Sequence, residues 1–165
     1  SEFFKLLSQK KFPATTWLRK MSQLDYLEEP DMFHDVFGHM PLLTNKMFSD
    51  FFEAIGKLGA RHIGNDKITA MMGRLYWFTV EFGLINNKGK NKIYGAGILS
   101  SHGETKFSLS ETPQHLAFDA EVIMNTPFQN DRIQDKYFVI ESFEQLCNSI
   151  ETIKKVVEKE SASVV

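Results

Sequence analysis

Leu75-Tyr-Trp-Phe-Thr-Val-Glu-Phe-Gly-Leu-Ile85 is a stretch fit for a protein core, yet it carries one carboxylate, Glu81. It overlaps a longer helical reading, about Ile68 to Phe82, that is apolar on almost every face, which predicts a deeply buried helix ending near Gly83. An unpaired carboxylate in such a place is costly, so Glu81 calls for a cation, an arginine or a proton beside it.

Working outward from that helix, Met47, Phe51, Ala54, Ile55 and Leu58 recur at helical spacing and predict an amphipathic helix over Thr44 to Leu58. Upstream, Phe3, Phe4, Leu6 and Leu7 precede the breaker Pro13, which suggests a short helix and then a loop. The acidic segment Asp25 to Pro30 leads to Asp31, a helix N-cap that opens Asp31-Met-Phe-His-Asp-Val-Phe-Gly-His39, and Pro41 opposes further helix. Downstream, Lys88-Gly-Lys90 is a turn between Leu84-Ile85 and Ile93-Tyr94, and Lys106 to Leu109 and Tyr137 to Ile140 read as strands. Glycines in Gly95-Ala-Gly-Ile-Leu-Ser-Ser101 leave room for a ligand or a second backbone. Helices are expected over Ala117 to Met124 and Ser142 to Glu158, the latter with a stripe of Phe143, Leu146, Ile150 and Ile153. The expected fold class is mainly α with a small antiparallel sheet (α+β). Residues 1–160 form a single core and Ser161 to Val165 a loose tail.

With 165 residues, 42% of them hydrophobic, the chain can bury one sizeable core but hardly two. A formal net charge of −2 lacks the footprint of a nucleic-acid binder. No apolar run reaches the roughly 20 residues that span a bilayer. The single cysteine, Cys147, excludes a disulfide within the chain and suits a reducing, cytoplasmic setting. Fifteen Phe, four Tyr and two Trp suffice to wall an apolar pocket as well as a core.

His34 and His39 lie five positions apart, which on a regular helix separates them by roughly 140°. For both imidazoles to meet one ion, the helix has to end between them, and Gly38 in a left-handed conformation would end it. The spacing departs from the zinc-protease motif, and Asp35 stands where that motif has glutamate. Taken alone, the histidine pair is a weak metal signal, and Glu81 could instead pair with Arg74 or Arg61. Together, two imidazoles and one carboxylate on one side of an ion leave positions open for oxygen and point to ferrous iron. His62, His102 and His115 lie in polar surroundings and are read as exposed.

Four stretches, Leu24 to Leu43, Arg74 to Asn86, Tyr94 to Ser101 and Tyr137 to Phe143, resemble in order the pterin-dependent aromatic amino acid hydroxylases, with the bacterial phenylalanine-hydroxylating members nearest. The resemblance implies that family's catalytic-domain fold, lacking its N-terminal part, with Fe(II) and a tetrahydropterin (tetrahydrobiopterin or a related pterin) as cofactors. It implies hydroxylation of the ring of L-phenylalanine by molecular oxygen. By resemblance, His34, His39 and Glu81 are the catalytic iron ligands, and Arg19 binds the substrate carboxylate through its planar fork. Trp77 and Phe82 line the ring pocket, and Gly97, Ser100 and Ser101 form the loop beside the amino acid. On the pterin side Phe3 is the stacking aromatic, Tyr76 a pocket tyrosine and Asp35 an acidic neighbour. A monomer is expected, since nothing after Glu160 is long enough for a tetramerisation helix. Tyrosine or tryptophan hydroxylation, or a truncated metal-binding relative without catalysis, are the alternatives.

Overall fold

The structure, a computed structural model, describes residues 2–24, 27 and 29–162. In chain order it comprises α1 (Glu2–Ser8), a 3-10 turn (Met21–Gln23), a π-helical turn (His34–His39) running into α2 (Met40–Leu43), α3 (Lys46–Arg61), α4 (Asp66–Tyr76) and a second π-helical turn (Trp77–Glu81). These are followed by β1 (Leu84–Asn87), β2 (Lys90–Ile93), α5 (Ala96–Leu99), α6 (His102–Phe107), β3 (Gln114–Ala117), α7 (Ala120–Asn125), β4 (Lys136–Ile140) and α8 (Phe143–Ala162).

The helix starts follow from polar side chains that accept otherwise orphaned main-chain N–H groups. Asn45 receives Phe48 N at the start of α3, and Asn65 receives Ile68 N at the start of α4. From α3, Phe48, Phe51, Phe52, Ile55 and Leu58 form one buried face against α1 and α8, which contribute Phe4, Leu7, Leu146, Ile153 and Val157. Helix α4 adds Ile68, Met71, Met72 and Leu75. Each fully buried aliphatic or phenyl side chain contributes roughly 1.5–3 kcal/mol, so this core fixes where α4 delivers the π-helical turn after it.

Among the described residues four strands form a sheet in the order β2-β1-β4-β3. The β1–β2 hairpin turns at Lys88 and Gly89, whose φ values of 55° and 80° are both positive, as a type I′ turn requires. The sheet is mixed rather than antiparallel: β1 pairs antiparallel with β2, while β4 runs parallel to both β1 and β3. Parallel partners need a crossover, and helices supply it here, with α7 between β3 and β4. Turn residues and alternation report a hairpin but not a partner that returns through a helix.

Other expectations shift with local chemistry. Lys106 to Leu109 is not a strand: the Ser101 hydroxyl accepts Glu104 N and starts α6, which takes in Lys106 and Phe107, and a turn follows at Ser108 and Leu109. Asp119 accepts Val122 N and delays the next helix to Ala120, leaving Gln114–Ala117 as the strand. Pro41 does not stop the helix; it stands in the first turn of α2, where its missing N–H is tolerated. Helix α8 continues through Ser161 and Ala162, and the remainder of the expected tail, 163–165, lies outside the described residues, as do Ser1, Asp25, Tyr26 and Glu28.

Gly38 is not left-handed: the positive-φ glycines are Gly64 and Gly89. The run from His34 to His39 instead widens into a π-helix, whose i→i+5 hydrogen bonding sets residues five apart one above the other. That geometry, not a helix end, resolves the 140° problem. Gly38 serves close packing, since a Cβ there would lie 2.8 Å from that of Ala96 in α5.

Candidate metal centre

His34 and His39 open and close one π-helical turn, and Glu81 closes the other. The two turns face each other through α5, which packs on both. His34 Nε2 and His39 Nε2 are 2.9 Å apart, and Glu81 places its two carboxylate oxygens 3.4 Å from His34 Nε2 and 3.2 Å from His39 Nε2. An ion with bonds of roughly 2.1 Å sets adjacent ligand atoms about 3.0–3.4 Å apart, whether its angles are right or tetrahedral. The three separations, 2.9, 3.2 and 3.4 Å, lie within 0.1 Å of that span, so the residues fit one shared metal ion. All three side chains are largely buried, and among the described residues they alone form a cluster of this kind.

The electrostatics agree. Burial pushes the His34 imidazole below its usual range, opposed by the Glu81 charge and assisted by His39, which favours the neutral ring a metal needs. At Glu81 burial works to raise the carboxyl, but His39, His34 and a hydrogen bond from the Tyr76 phenol outweigh it and hold it ionised. The outer ring nitrogen of His34 is 2.8 Å from Ser100 Oγ, which turns Nε2 toward the cluster, and the Phe12 ring lies against His39 at 4.6 Å.

Gly95 is where this arrangement is least tolerant. A Cβ on it would lie 2.3 Å from Glu81 O and 2.6 Å from Gly83 N, main-chain atoms that cannot rotate away. Gly95→Ala is therefore expected to cost at least about 1–3 kcal/mol and to displace Glu81, lowering metal occupancy. Gly73→Ala, at a helical glycine with open space around it, should instead stabilise by about 0.5–1 kcal/mol. Denaturant unfolding and metal analysis of both variants check the contrast.

Beside the cluster lies a cavity of about 190 Å³, lined by His34, Tyr76 and Glu81 and by all six residues expected around the substrate: Arg19, Trp77, Phe82, Gly97, Ser100 and Ser101. Phe82 and Phe128 flank the Trp77 ring at 4.5 and 4.3 Å, the latter stacked. A Cβ on Gly97 would meet the edge of the Phe82 ring at 2.9 Å, so only glycine leaves that ring in place.

The Arg19 fork is already engaged. Its Nε and Nη2 donate to the two oxygens of Asp31 at 3.0 and 2.7 Å, and its Nη1 donates to Ser100 O. Among the described residues these take three of its five N–H groups and leave two, one on each terminal nitrogen. Asp31, expected only as a helix cap, both caps His34 N at 3.0 Å and aims Arg19.

The three residues expected on the pterin side are near one another but not all on the cavity. Tyr76 lines it, and Phe3 meets the Tyr76 ring edge-on at 5.0 Å without lining it. Asp35 is buried, accepting N–H and hydroxyl hydrogen bonds from Thr15 at 2.6 and 2.8 Å. His62, His102 and His115 take no part in the cluster. Three residues of the site escaped the sequence reading, Asp31 as an arginine partner, Glu104 in the cavity wall and Gln134 behind Trp77. None of the three left a signal of its role in the sequence: Glu104 stands just ahead of the stretch read as a strand, Lys106 to Leu109.

The sequence pattern of the family described as biopterin-dependent aromatic amino acid hydroxylase matches residues 1–163. Phenylalanine-4-hydroxylase of Chromobacterium violaceum is 53% identical over 147 residues, covering 87% of this chain and 48% of that protein. Human tyrosine 3-monooxygenase is 42% identical over 144 residues, 86% of this chain and 26% of that protein. The crystal structure of the Chromobacterium violaceum enzyme with bound iron(III) and 7,8-dihydrobiopterin superimposes with a TM-score of 0.86 at 48% identity, covering 98% of this chain and 58% of that one. The chain thus spans about half the length of the bacterial relatives it matches. On fold, buried triad and sequence alike, it belongs to the biopterin-dependent aromatic amino acid hydroxylases.

Proposed function

We propose that this chain is the iron-holding core, over residues 1–160, of a monooxygenase that uses Fe(II), a tetrahydropterin and molecular oxygen to hydroxylate the ring of L-phenylalanine, giving L-tyrosine. The observation that carries the reading is the meeting of a buried two-histidine, one-carboxylate cluster with a cavity that has aromatic walls and an arginine at one side. Relatives named phenylalanine-4-hydroxylase, at 46–53% identity, support the substrate, and the related structure with iron(III) and dihydrobiopterin supports the cofactors.

In this reading His34, His39 and Glu81 hold the iron, which with the pterin supplies the oxidising power. The protein's own residues bind and orient. Trp77 and Phe82, with Gly97 leaving room beside Phe82, grip the substrate ring and keep water from it. The two free N–H groups of Arg19 take the substrate carboxylate, with Ser100 and Ser101 beside them. Ser100 thereby touches both sides of the site, through its hydroxyl to His34 and through its carbonyl to Arg19. Phe3, Tyr76 and Asp35 serve the pterin side. The free Cys147 suits a reducing compartment, and the proposal includes a cytoplasmic monomer, which sedimentation of the purified protein tests.

The decisive assay loads the protein with iron anaerobically, adds phenylalanine and a tetrahydropterin, admits oxygen and measures tyrosine. Absence of tyrosine with full iron loading would overturn the reading. Hydroxylation of tyrosine in preference to phenylalanine would reassign the substrate to that of the tyrosine 3-monooxygenases. Arg19→Lys keeps the charge but loses the fork, so the phenylalanine KM is expected to rise by about 1.5–3 kcal/mol in binding while iron content stays unchanged. An unaltered KM in the iron-loaded variant would remove Arg19 from the substrate site.

A further inference from the structure

Glu104 is fully buried, lines the cavity, and faces no cation among the described residues. Its two oxygens are occupied by neutral donors: Oε1 accepts Gln134 N–H at 2.9 Å, and Oε2 accepts the hydroxyl of the buried Tyr137. Gln134, 5% exposed, turns its side-chain carbonyl to the Trp77 indole N–H at 3.0 Å and donates its amide to Gln129 O and Arg132 O at 2.7 and 2.9 Å. A continuous hydrogen-bonded line therefore runs from β4 through α6 and the loop before β4 to the indole that walls the cavity. Burying an acid without a cation is unfavourable, and burial here pushes the Glu104 carboxyl up. A plain apolar residue would pack at less cost unless the hydrogen bonds themselves have a use.

We infer that Glu104, with Gln134 and Tyr137, is a positioning device that fixes the in-plane orientation of the Trp77 ring and so determines which aromatic side chain the cavity accepts. Trp77 is held on its faces by Phe82 and Phe128, contacts that leave rotation within the ring plane free; the indole N–H on Gln134 removes that freedom. Gln134 can do so only if its own main chain is fixed, and Glu104 fixes it. The inference rests on the proposed reading of the cavity as an aromatic amino acid site, and it makes Glu104 a hydrogen-bonding brace rather than a charge facing the substrate ammonium.

The test compares Glu104→Leu with Glu104→Gln in the complete natural protein. Trp17→Phe removes the other tryptophan of residues 1–165, and the difference in emission between variants that share this background reports Trp77. Glutamine can accept Gln134 N–H and donate to the Tyr137 oxygen, so it preserves the brace without the charge. Glu104→Leu is expected to displace the Trp77 emission and raise the amino acid KM roughly three- to tenfold, the loss of one hydrogen bond, with iron content and pterin KM unchanged. Glu104→Gln should restore both. Parent-like emission and KM in iron-loaded Glu104→Leu would overturn the inference. So would a Glu104→Gln as impaired as the leucine variant, which would make the charge itself the function. If Glu104→Leu does not fold, Gln134→Leu replaces it: its KM penalty should vanish in a Trp77→Phe background, and an equal penalty there would overturn the brace. Absence of any hydroxylation by the parent would instead refute the proposed function, while the emission arm, read on the protein without substrate, still decides the brace.

Discussion

Glu81→Ala is expected to leave a folded protein that no longer holds iron at stoichiometry, with affinity reduced by more than about 100-fold, since even loss of a group that merely supports a ligand costs 10–100-fold. The carboxylate is the only anion of the cluster, and without it two neutral imidazoles 2.9 Å apart must hold a divalent ion by themselves. His34→Ala and His39→Ala should behave alike. Tyr76→Phe removes only the phenol's hydrogen bond to Glu81 and should cost about tenfold, retaining iron at high concentration. Metal analysis after anaerobic loading, with a titration for the weaker variants, gives the ranking. Stoichiometric iron in Glu81→Ala would mean that a different group completes the site.

The triad was legible because two of its features are anomalies of composition rather than of geometry. A carboxylate in an apolar helix has to be neutralised, and a histidine pair nearby in the chain offers the means. How the pair converges was not legible. A π-helical turn is built from the same residues as an α-helix and differs only in which carbonyl each N–H chooses, so Gly38 suggested a helix end where the backbone in fact continues. The hairpin at Lys88 and Gly89 was readable from two adjacent turn residues, whereas the parallel pairing of β4 with β1 joins positions more than fifty residues apart. Arg19, Trp77 and Phe82 entered the site through family resemblance; by spacing alone Trp77 is core. Glu104 reaches the cavity, and Gln134 the back of Trp77, only because Ser101 starts α6 and the loop before β4 folds back, neither of which leaves a periodic signal.

Asp31→Ala is the substitution expected to damage fold and site together. The carboxylate is fully buried and accepts four hydrogen bonds, from Arg19 N, Nε and Nη2 and from His34 N. Truncation leaves a guanidinium that is 5% exposed without its counter-charge and uncaps the turn that carries His34. Breaking one side of such a buried pair costs about 3–5 kcal/mol, a large share of a small domain's stability. Asp31→Asn keeps the cap and loses the charge, and should fall between. Adding Arg19→Met to Asp31→Ala should recover part of the loss, because no uncompensated charge then remains. The same pair sets a pH dependence. Burial acts to raise the Asp31 carboxyl, but Arg19 and the two main-chain N–H groups outweigh it and hold it well below the usual range. Its stabilisation is therefore fully present above the unfolded value of about 3.9 and is lost as pH falls from there toward the native value. Denaturant titrations at neutral pH and near pH 3 should show the gap between the parent and Asp31→Ala narrowing in acid. An Asp31→Ala variant within about 1 kcal/mol of the parent at neutral pH would show that Arg19 is held by its Ser100 contact and the Phe33 ring instead, and that its aim does not depend on Asp31.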